Sequence, residues 1–188
     1  MRTKKRLIAE TTLTSTEAAL LGMLARGGAR SGYDIRKGVE RSVGYFWAPA
    51  KSQIYAVLPR LVEAGLLTRR DVAQTERPDK QLYRITAAGR RALVTWLEDA
   101  PLEPEPDRNP LLLKVFFGGL MSQEALIRQI REQRREAEAL KADLDRLDAE
   151  GGGEHDLHPS LTRAYGHEYA NAIIRWARKA ERTLGERG

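Results

Sequence analysis

Residues 31–67 read SGYDIRKGVERSVGYFWAPAKSQIYAVLPRLVEAGLL, and the spacing within them decides the architecture. Ser31 with Asp34 three residues on has the form of a helix start, the hydroxyl satisfying an amide of the first turn. Ile35 and Val39 then continue an inward face until Gly44. Ile54, Val57, Leu58 and Leu61 fall on one stripe at helical spacing, which predicts a helix from about Ala50 to Ala64 that Gly65 ends. Counting roughly 100° per residue from Ile54 places Ser52, Gln53, Tyr55 and Arg60 on the opposite face and its flanks, with Lys51 near the start. That face is polar and basic. Pro59 removes a backbone donor from the helix interior and predicts a bend there.

Working outward, Thr14 and Glu17 have capping-box spacing and start an earlier helix, whose stripe of Leu20, Leu21 and Leu24 stops at Gly27-Gly28. Downstream, Leu66–Val72 and Gln81–Thr86 are β-prone and flank a loop, 73–80, with Arg77-Pro78 at its tip. Thr86 then caps a helix over Ala87–Asp99 with Leu93, Trp96 and Leu97 expected inward. Helices, a two-stranded hairpin with a basic tip, and a further helix follow the order of a winged helix-turn-helix domain.

Residues 100–109 carry Pro101, Pro104 and Pro106 and are expected to form a semi-rigid linker. Asn109-Pro110 suits a helix start, and the mostly apolar run Leu111–Leu120 predicts a helix buried on most sides. After Ser122, Leu126, Ile130, Gln133, Ala137, Leu140, Leu144 and Leu147 alternate spacings of four and three, an a/d seam. Gly151-Gly152-Gly153 breaks it, and Pro159 opens a last helix with Tyr165, Tyr169, Ala172, Trp176 and Ala180 along one side. The expected fold is mainly α: a winged helix-turn-helix domain over 1–99, the linker, and an antiparallel helical dimerisation domain over 110–188.

The chain has 188 residues, of which 41% are apolar and 31% charged, and it has no cysteine. Disulfide scaffolds, thiolate metal sites and cysteine nucleophiles are thereby excluded. No apolar run approaches the roughly 20 residues of a membrane span, and the basic opening MRTKKRLIAE is not a secretory leader, so a cytoplasmic protein without membrane contact is expected. Charge is unevenly divided. Residues 1–99 hold 18 Lys and Arg against 10 Asp and Glu, whereas residues 100–188 hold 14 against 16. A basic module joined to a near-neutral helical one suits a polyanion reader with an oligomerisation or sensing region. No nucleophile elbow, phosphate-cradling glycine loop or metalloprotease helix occurs, so no enzyme and no cofactor are expected. His155, Asp156 and His158 follow the triple glycine without the fixed spacing of metal ligands, and His167 is remote from them.

Several of these segments together resemble the DNA-binding domain of PadR-family transcriptional regulators. They are Ser31-Gly32-Tyr33-Asp34-Ile35, Gly44-Tyr45-Phe46-Trp47, Gln53-Ile54-Tyr55, Arg77-Pro78 with Lys80, and Tyr83-Arg84-Ile85-Thr86 with Gly89-Arg90. Lys114-Val115-Phe116-Phe117 and the Tyr165–Trp176 helix look like the longer members, which carry a C-terminal helical domain. The resemblance implies a homodimeric, usually repressing regulator that binds a partly palindromic operator and in some members is released by phenolic acids or other small aromatic compounds. Glu76, Lys51 and Pro59 depart from the family pattern.

In a helix-turn-helix the second helix enters the major groove with its first turns at base edges, which selects Lys51, Ser52, Gln53 and Tyr55, with Arg60 further along. Arg77 at the wing tip suits a narrow, electronegative minor groove, with Lys80 beside it. Arg2, Lys4, Lys5 and Arg6 are further candidate phosphate contacts. Trp47, Trp96 and Phe117 are the aromatic residues expected to line an effector cavity. Leu126, Ile130, Ala137, Leu140, Leu144 and Leu147 are expected to join two protomers. The competing reading is a winged-helix protein-interaction module that binds no DNA, against which the basic first half and the polar helix face both weigh.

Overall fold

The computed structural model describes residues 13–73, 80–102, 109–151 and 157–186. The chain divides into two compact units, Met1–Glu103 and Pro104–Gly188.

The first unit opens with α1, Ser15–Gly27, closed by a reciprocal cap in which the Glu17 amide reaches Thr14 Oγ1 at 3.3 Å and the Thr14 amide reaches Glu17 Oε2 at 2.9 Å. Gly28, at φ 72°, supplies the left-handed turn that ends the helix. Then come β1 (Arg30–Ser31), α2 (Gly32–Ser42), α3 (Lys51–Glu63), β2 (Leu67–Val72), β3 (Lys80–Ile85) and α4 (Ala87–Asp99). The helix α3 runs through Pro59 without interruption. Its stripe of Ile54, Val57, Leu58 and Leu61 is buried in one core with Leu20, Leu21 and Leu24 of α1 and Ile35 of α2. Each such side chain contributes about 1.5–3 kcal/mol on leaving water.

The hairpin is part of a three-stranded antiparallel sheet in the order β1-β3-β2. The two-residue β1 was not expected, because a strand so short and polar has no periodicity to betray it. Thr86 joins the sheet to α4. Its hydroxyl oxygen accepts the Gly89 amide at 3.0 Å and lies 2.9 Å from the Gly65 carbonyl. Gly89 is required there, since a Cβ would stand 2.2 Å from the Leu66 carbonyl oxygen. Along α4, Leu93 is buried and Trp96 half-buried against the core, but Leu97 is exposed, contrary to the expected stripe.

The second unit comprises α5 (Pro110–Phe116), a 3-10 turn (Gly118–Leu120), α6 (Gln123–Gly151) and α7 (Leu157–Gly185). Asn109 caps α5 through the Leu112 amide at 3.1 Å. The start of α6 meets the end of α7, where Gln123 Nε2 donates to the Leu184 carbonyl at 2.7 Å. The far end of α6 meets the start of α7 through Asp148 and Arg163, so the pair is an antiparallel hairpin.

Three expectations are corrected in this unit. The run Leu111–Leu120 is not one buried helix: Gly118-Gly119 convert its end to the 3-10 turn, and Leu112, Leu113, Phe116, Phe117 and Leu120 are exposed. The last helix begins at Leu157, with Pro159 in its first turn, where an amide would have no intrahelical acceptor. Finally, Tyr165, Tyr169 and Ala172 face outward, and the buried side of α7 is Gly166, Ala170, Ile174 and Ala177. Small residues let the two helices approach closely, so aromatic size misleads about which face is inside. Opposite them, Leu126, Ile130, Ala137 and Leu144 are buried, while Leu140 and Leu147 are half-buried. The a/d seam is thus covered within one chain.

Charge pairs brace this hairpin. Arg134 spans Glu138 at 3.0 Å and Glu181 at 2.9 Å, and Arg131 also reaches Glu181, at 3.1 Å. Asp148 accepts from His167 Nε2 at 2.9 Å and from Arg163. The His167 bond, then the Arg163 bond, hold the Asp148 carboxyl below its ordinary value of 3.8. A carboxyl depressed on folding stabilises above its unfolded pKa, and that contribution disappears as pH falls through the folded value. We expect Asp148→Asn to lower the melting temperature near neutrality, with the gap from the unmodified protein closing as pH falls from about 5 to about 2.5. Calorimetric scans across that range check this, and a constant gap contradicts it.

Candidate nucleic-acid interface

The interface follows from the sealed side of α3. With Ile54, Val57, Leu58 and Leu61 inward, the helix exposes Lys51, Ser52, Gln53, Tyr55 and Arg60. Lys51 and Ser52 occupy the first turn without side-chain hydrogen bonds or ion pairs among the described residues. Gln53 is engaged, its Oε1 accepting the Ala50 amide at 3.0 Å and so capping its own helix. The Tyr55 ring lies over Gly32 at the start of α2, where a Cβ would meet Tyr55 Cε1 at 2.9 Å. Arg60 donates to Glu17 Oε1 at 3.3 Å, tying α3 to the capping carboxylate of α1.

The wing is anchored to α2. Lys80, at the start of β3, pairs through Nζ with Asp34 Oδ2 at 3.0 Å. The same carboxylate accepts the Ser31 hydroxyl at 2.8 Å, while the Ser31 oxygen accepts the Asp34 amide. Lys80 first, and then the Ser31 hydroxyl, hold the Asp34 carboxyl below its ordinary range. Pairing of Arg30 with Tyr83 and Ser31 with Leu82 adds a backbone link at the same place. Arg77 and residues 2–6, singled out in the sequence, lie outside the described residues.

The fold adds further candidates. Tyr33 is 56% exposed at the first turn of α2, with the Arg36 and Lys37 cations 5.3 and 6.0 Å from its ring centroid. Arg70 on β2 and Arg84 on β3 are exposed on the hairpin. The spacing of Tyr33, Arg36 and Lys37 on one helix was a readable signal, whereas Arg70 and Arg84 needed the strand register. Of the residues expected to form an effector cavity, Trp47 and Trp96 belong to the first unit and Phe117 to the second. Phe117 meets Phe116 edge-on at 5.0 Å. Among the described residues no cluster of three or more His, Asp or Glu side chains could hold a metal, and no helix is long and apolar enough to cross a membrane.

Cap and anchor are separable. Ser31→Ala should cost about 1 kcal/mol of stability by loss of the α2 cap. Lys80→Met breaks only a half-exposed ion pair and should cost less than about 0.5 kcal/mol. Urea denaturation of both variants tests this, and equal losses would mean that the ion pair contributes as much as the cap.

Comparison with known proteins matches two family models. Residues 20–95 match the transcriptional regulator PadR-like family, and residues 108–185 match the virulence activator alpha C-terminal family. The negative transcriptional regulator PadR of Bacillus subtilis is 32% identical over 126 residues, 67% of this chain and 69% of that protein. Its crystal structure in complex with operator DNA superposes with a TM-score of 0.75 at 26% identity, covering 89% of this chain and 98% of that one. The structure of the same relative in complex with p-coumaric acid gives a TM-score of 0.68 at 24% identity, covering 92% and 98%.

Proposed function

The chain belongs to the PadR-like family of transcriptional regulators, and from that premise we propose that it acts in the cytoplasm as a homodimeric repressor. It binds a partly palindromic operator through α3 and the wing and leaves it when a small aromatic effector binds. The observation that carries this reading is the polar, basic face of α3, held outward by a fully sealed apolar stripe in a half-chain with a surplus of positive charge. Lys51, Ser52, Gln53 and Tyr55 meet base edges, Arg60 and Lys80 meet phosphates, and Arg77 enters the minor groove. The B. subtilis relative, crystallised with operator DNA and with p-coumaric acid, supports both the DNA and the effector parts.

Self-association rests on surface that the hairpin leaves uncovered. Leu157, Leu161, Tyr165 and Tyr169 recur every four residues on α7, each more than half exposed. Phe116 and Leu120, at 81% and 88%, add to the apolar surface of this unit. An apolar row of this length marks an interaction site, and a second copy of the chain is the occupant that doubles the DNA contacts on a two-fold operator. Leu140 and Leu147 are half-buried members of the seam, whereas Leu126, Ile130, Ala137 and Leu144 support the dimer by holding the hairpin together.

Gln53→Ala should cost about 1–3 kcal/mol on the operator and less on random DNA. Arg77→Ala should weaken both and lower the salt slope by about one phosphate. Binding to both DNAs at several salt concentrations tests the pair, and an unchanged operator-to-random ratio for Gln53→Ala removes its base-reading role. Leu161→Glu with Tyr165→Glu should give folded monomers with weakened operator binding. Sedimentation of the unmodified protein at micromolar concentration as a monomer would refute the dimer.

A further inference from the structure

Two of the cations assigned to phosphates are held by carboxylates that share one local geometry. Glu17 is the third residue of α1 and Asp34 the third of α2, and each reaches back to close the cap of its own helix. Glu17 Oε2 accepts the Thr14 amide at 2.9 Å and the Thr14 hydroxyl at 3.0 Å, which leaves Oε1 for Arg60 of α3 at 3.3 Å. Asp34 Oδ2 accepts the Ser31 amide at 3.2 Å, the Ser31 hydroxyl at 2.8 Å and Lys80 Nζ of β3 at 3.0 Å. The caps fix both acids in place, so neither can follow its cation outward. The cations reach toward solvent, with 66% of the Arg60 side chain and 39% of the Lys80 side chain exposed.

A cap of this kind needs an acceptor at its third residue and not a charge, since Gln serves there as well as Glu. The negative charge is thus surplus to the cap, and in both places it meets a cation of the helix or wing assigned to DNA. A free cation that reaches a phosphate releases condensed counterions and adds to affinity whatever the sequence. One already paired only changes partners and gains little. We propose that Glu17 and Asp34 limit the sequence-independent affinity of the protein for DNA by holding Arg60 and Lys80 off the phosphate backbone. The inference rests on the phosphate contacts assigned to Arg60 and Lys80 above and adds two residues that touch no DNA but set the strength of those contacts. Genomic DNA offers on the order of a million or more random sites, so a weaker hold on each shortens the time spent away from the operator.

Titration of the full chain with a mixed-sequence DNA duplex at several salt concentrations tests the restraint without knowledge of the operator. Asp34→Asn and Glu17→Gln each keep an acceptor for the cap. Each should tighten binding about twofold to fivefold, the hold of a partly exposed ion pair, and steepen the salt dependence by about one phosphate's worth. A merely structural role predicts weaker binding instead. Glu63→Gln, at the exposed last residue of α3, removes the same charge without freeing a cation and should give a smaller gain and no change of salt slope. The comparison that decides is made without the cation. In a Lys80→Met background Asp34→Asn should lose most of its gain, and in an Arg60→Met background Glu17→Gln should do the same. Equal gains with and without the cation, gains no larger than that of Glu63→Gln, or weaker binding by variants that melt where the unmodified protein does would overturn the proposal. Should Glu17→Gln unfold the enclosed start of α1, the half-exposed Asp34 decides alone. The underlying reading fails separately: a protein that binds no duplex loses its DNA-binding role, and one indifferent to Arg60→Met and Lys80→Met even after the acids are neutralised loses these two phosphate contacts.

Discussion

Burial of one side of α3 is the constraint from which the rest of the first unit follows. Ile54, Leu58 and Leu61 are each about 1% exposed, and they lock against leucines of α1 that are fully enclosed. Once that stripe is fixed, helical geometry leaves no choice about what faces outward. A rotation of one residue would bury Tyr55 or expose Ile54, at a cost of kilocalories per side chain. Glu17 sharpens the placement. Only 8% exposed, it caps α1 and accepts from Arg60, so the start of one helix sets the azimuth of the other.

The hairpin of the second unit solves a different problem. Its two 29-residue helices use Gly166, Ala170 and Ala177 to come close, and the leucines of α6 fill the space between. Of the aromatic residues of α7 that solution packs Trp176 against the interior and leaves Tyr165 and Tyr169 out. Tyr165 and Tyr169 therefore remain as an outward row, and the Arg134, Glu138 and Glu181 network holds the hairpin without them. The helix pair and the apolar row are thus two uses of one element, on opposite faces.

What was legible in the sequence was local. The caps at Thr14, Ser31, Thr86 and Asn109, the stops at Gly28 and Gly65, and the α3 stripe are all short-range patterns, and the helices and hairpin strands of the first unit stand within two residues of expectation. The inner face of α7 is not legible from side-chain size, because close packing selects glycine and alanine. Exposure of α5 is equally illegible, because an apolar run does not say how much of it one chain can cover. Partners of the site residues were illegible for a third reason: Arg60 with Glu17 and Lys80 with Asp34 join residues more than forty positions apart, and nothing in their local sequence marks the pairing.

Those partners bear on how DNA recognition is tuned. Gln53, Arg60 and Lys80 are each already bonded within the protein, so on the proposed reading a contact to DNA exchanges one hydrogen bond or ion pair for another. The net gain per contact is then far below its strength in isolation. Lys51 and Ser52, with no such commitment among the described residues, offer their full capacity. Pre-engagement also keeps each side chain in one rotamer, which lowers the ordering cost when DNA arrives. On that reading Lys51 adds more to overall affinity than Arg60 or Lys80, whose phosphate contacts exchange one ion pair for another and carry no sequence information.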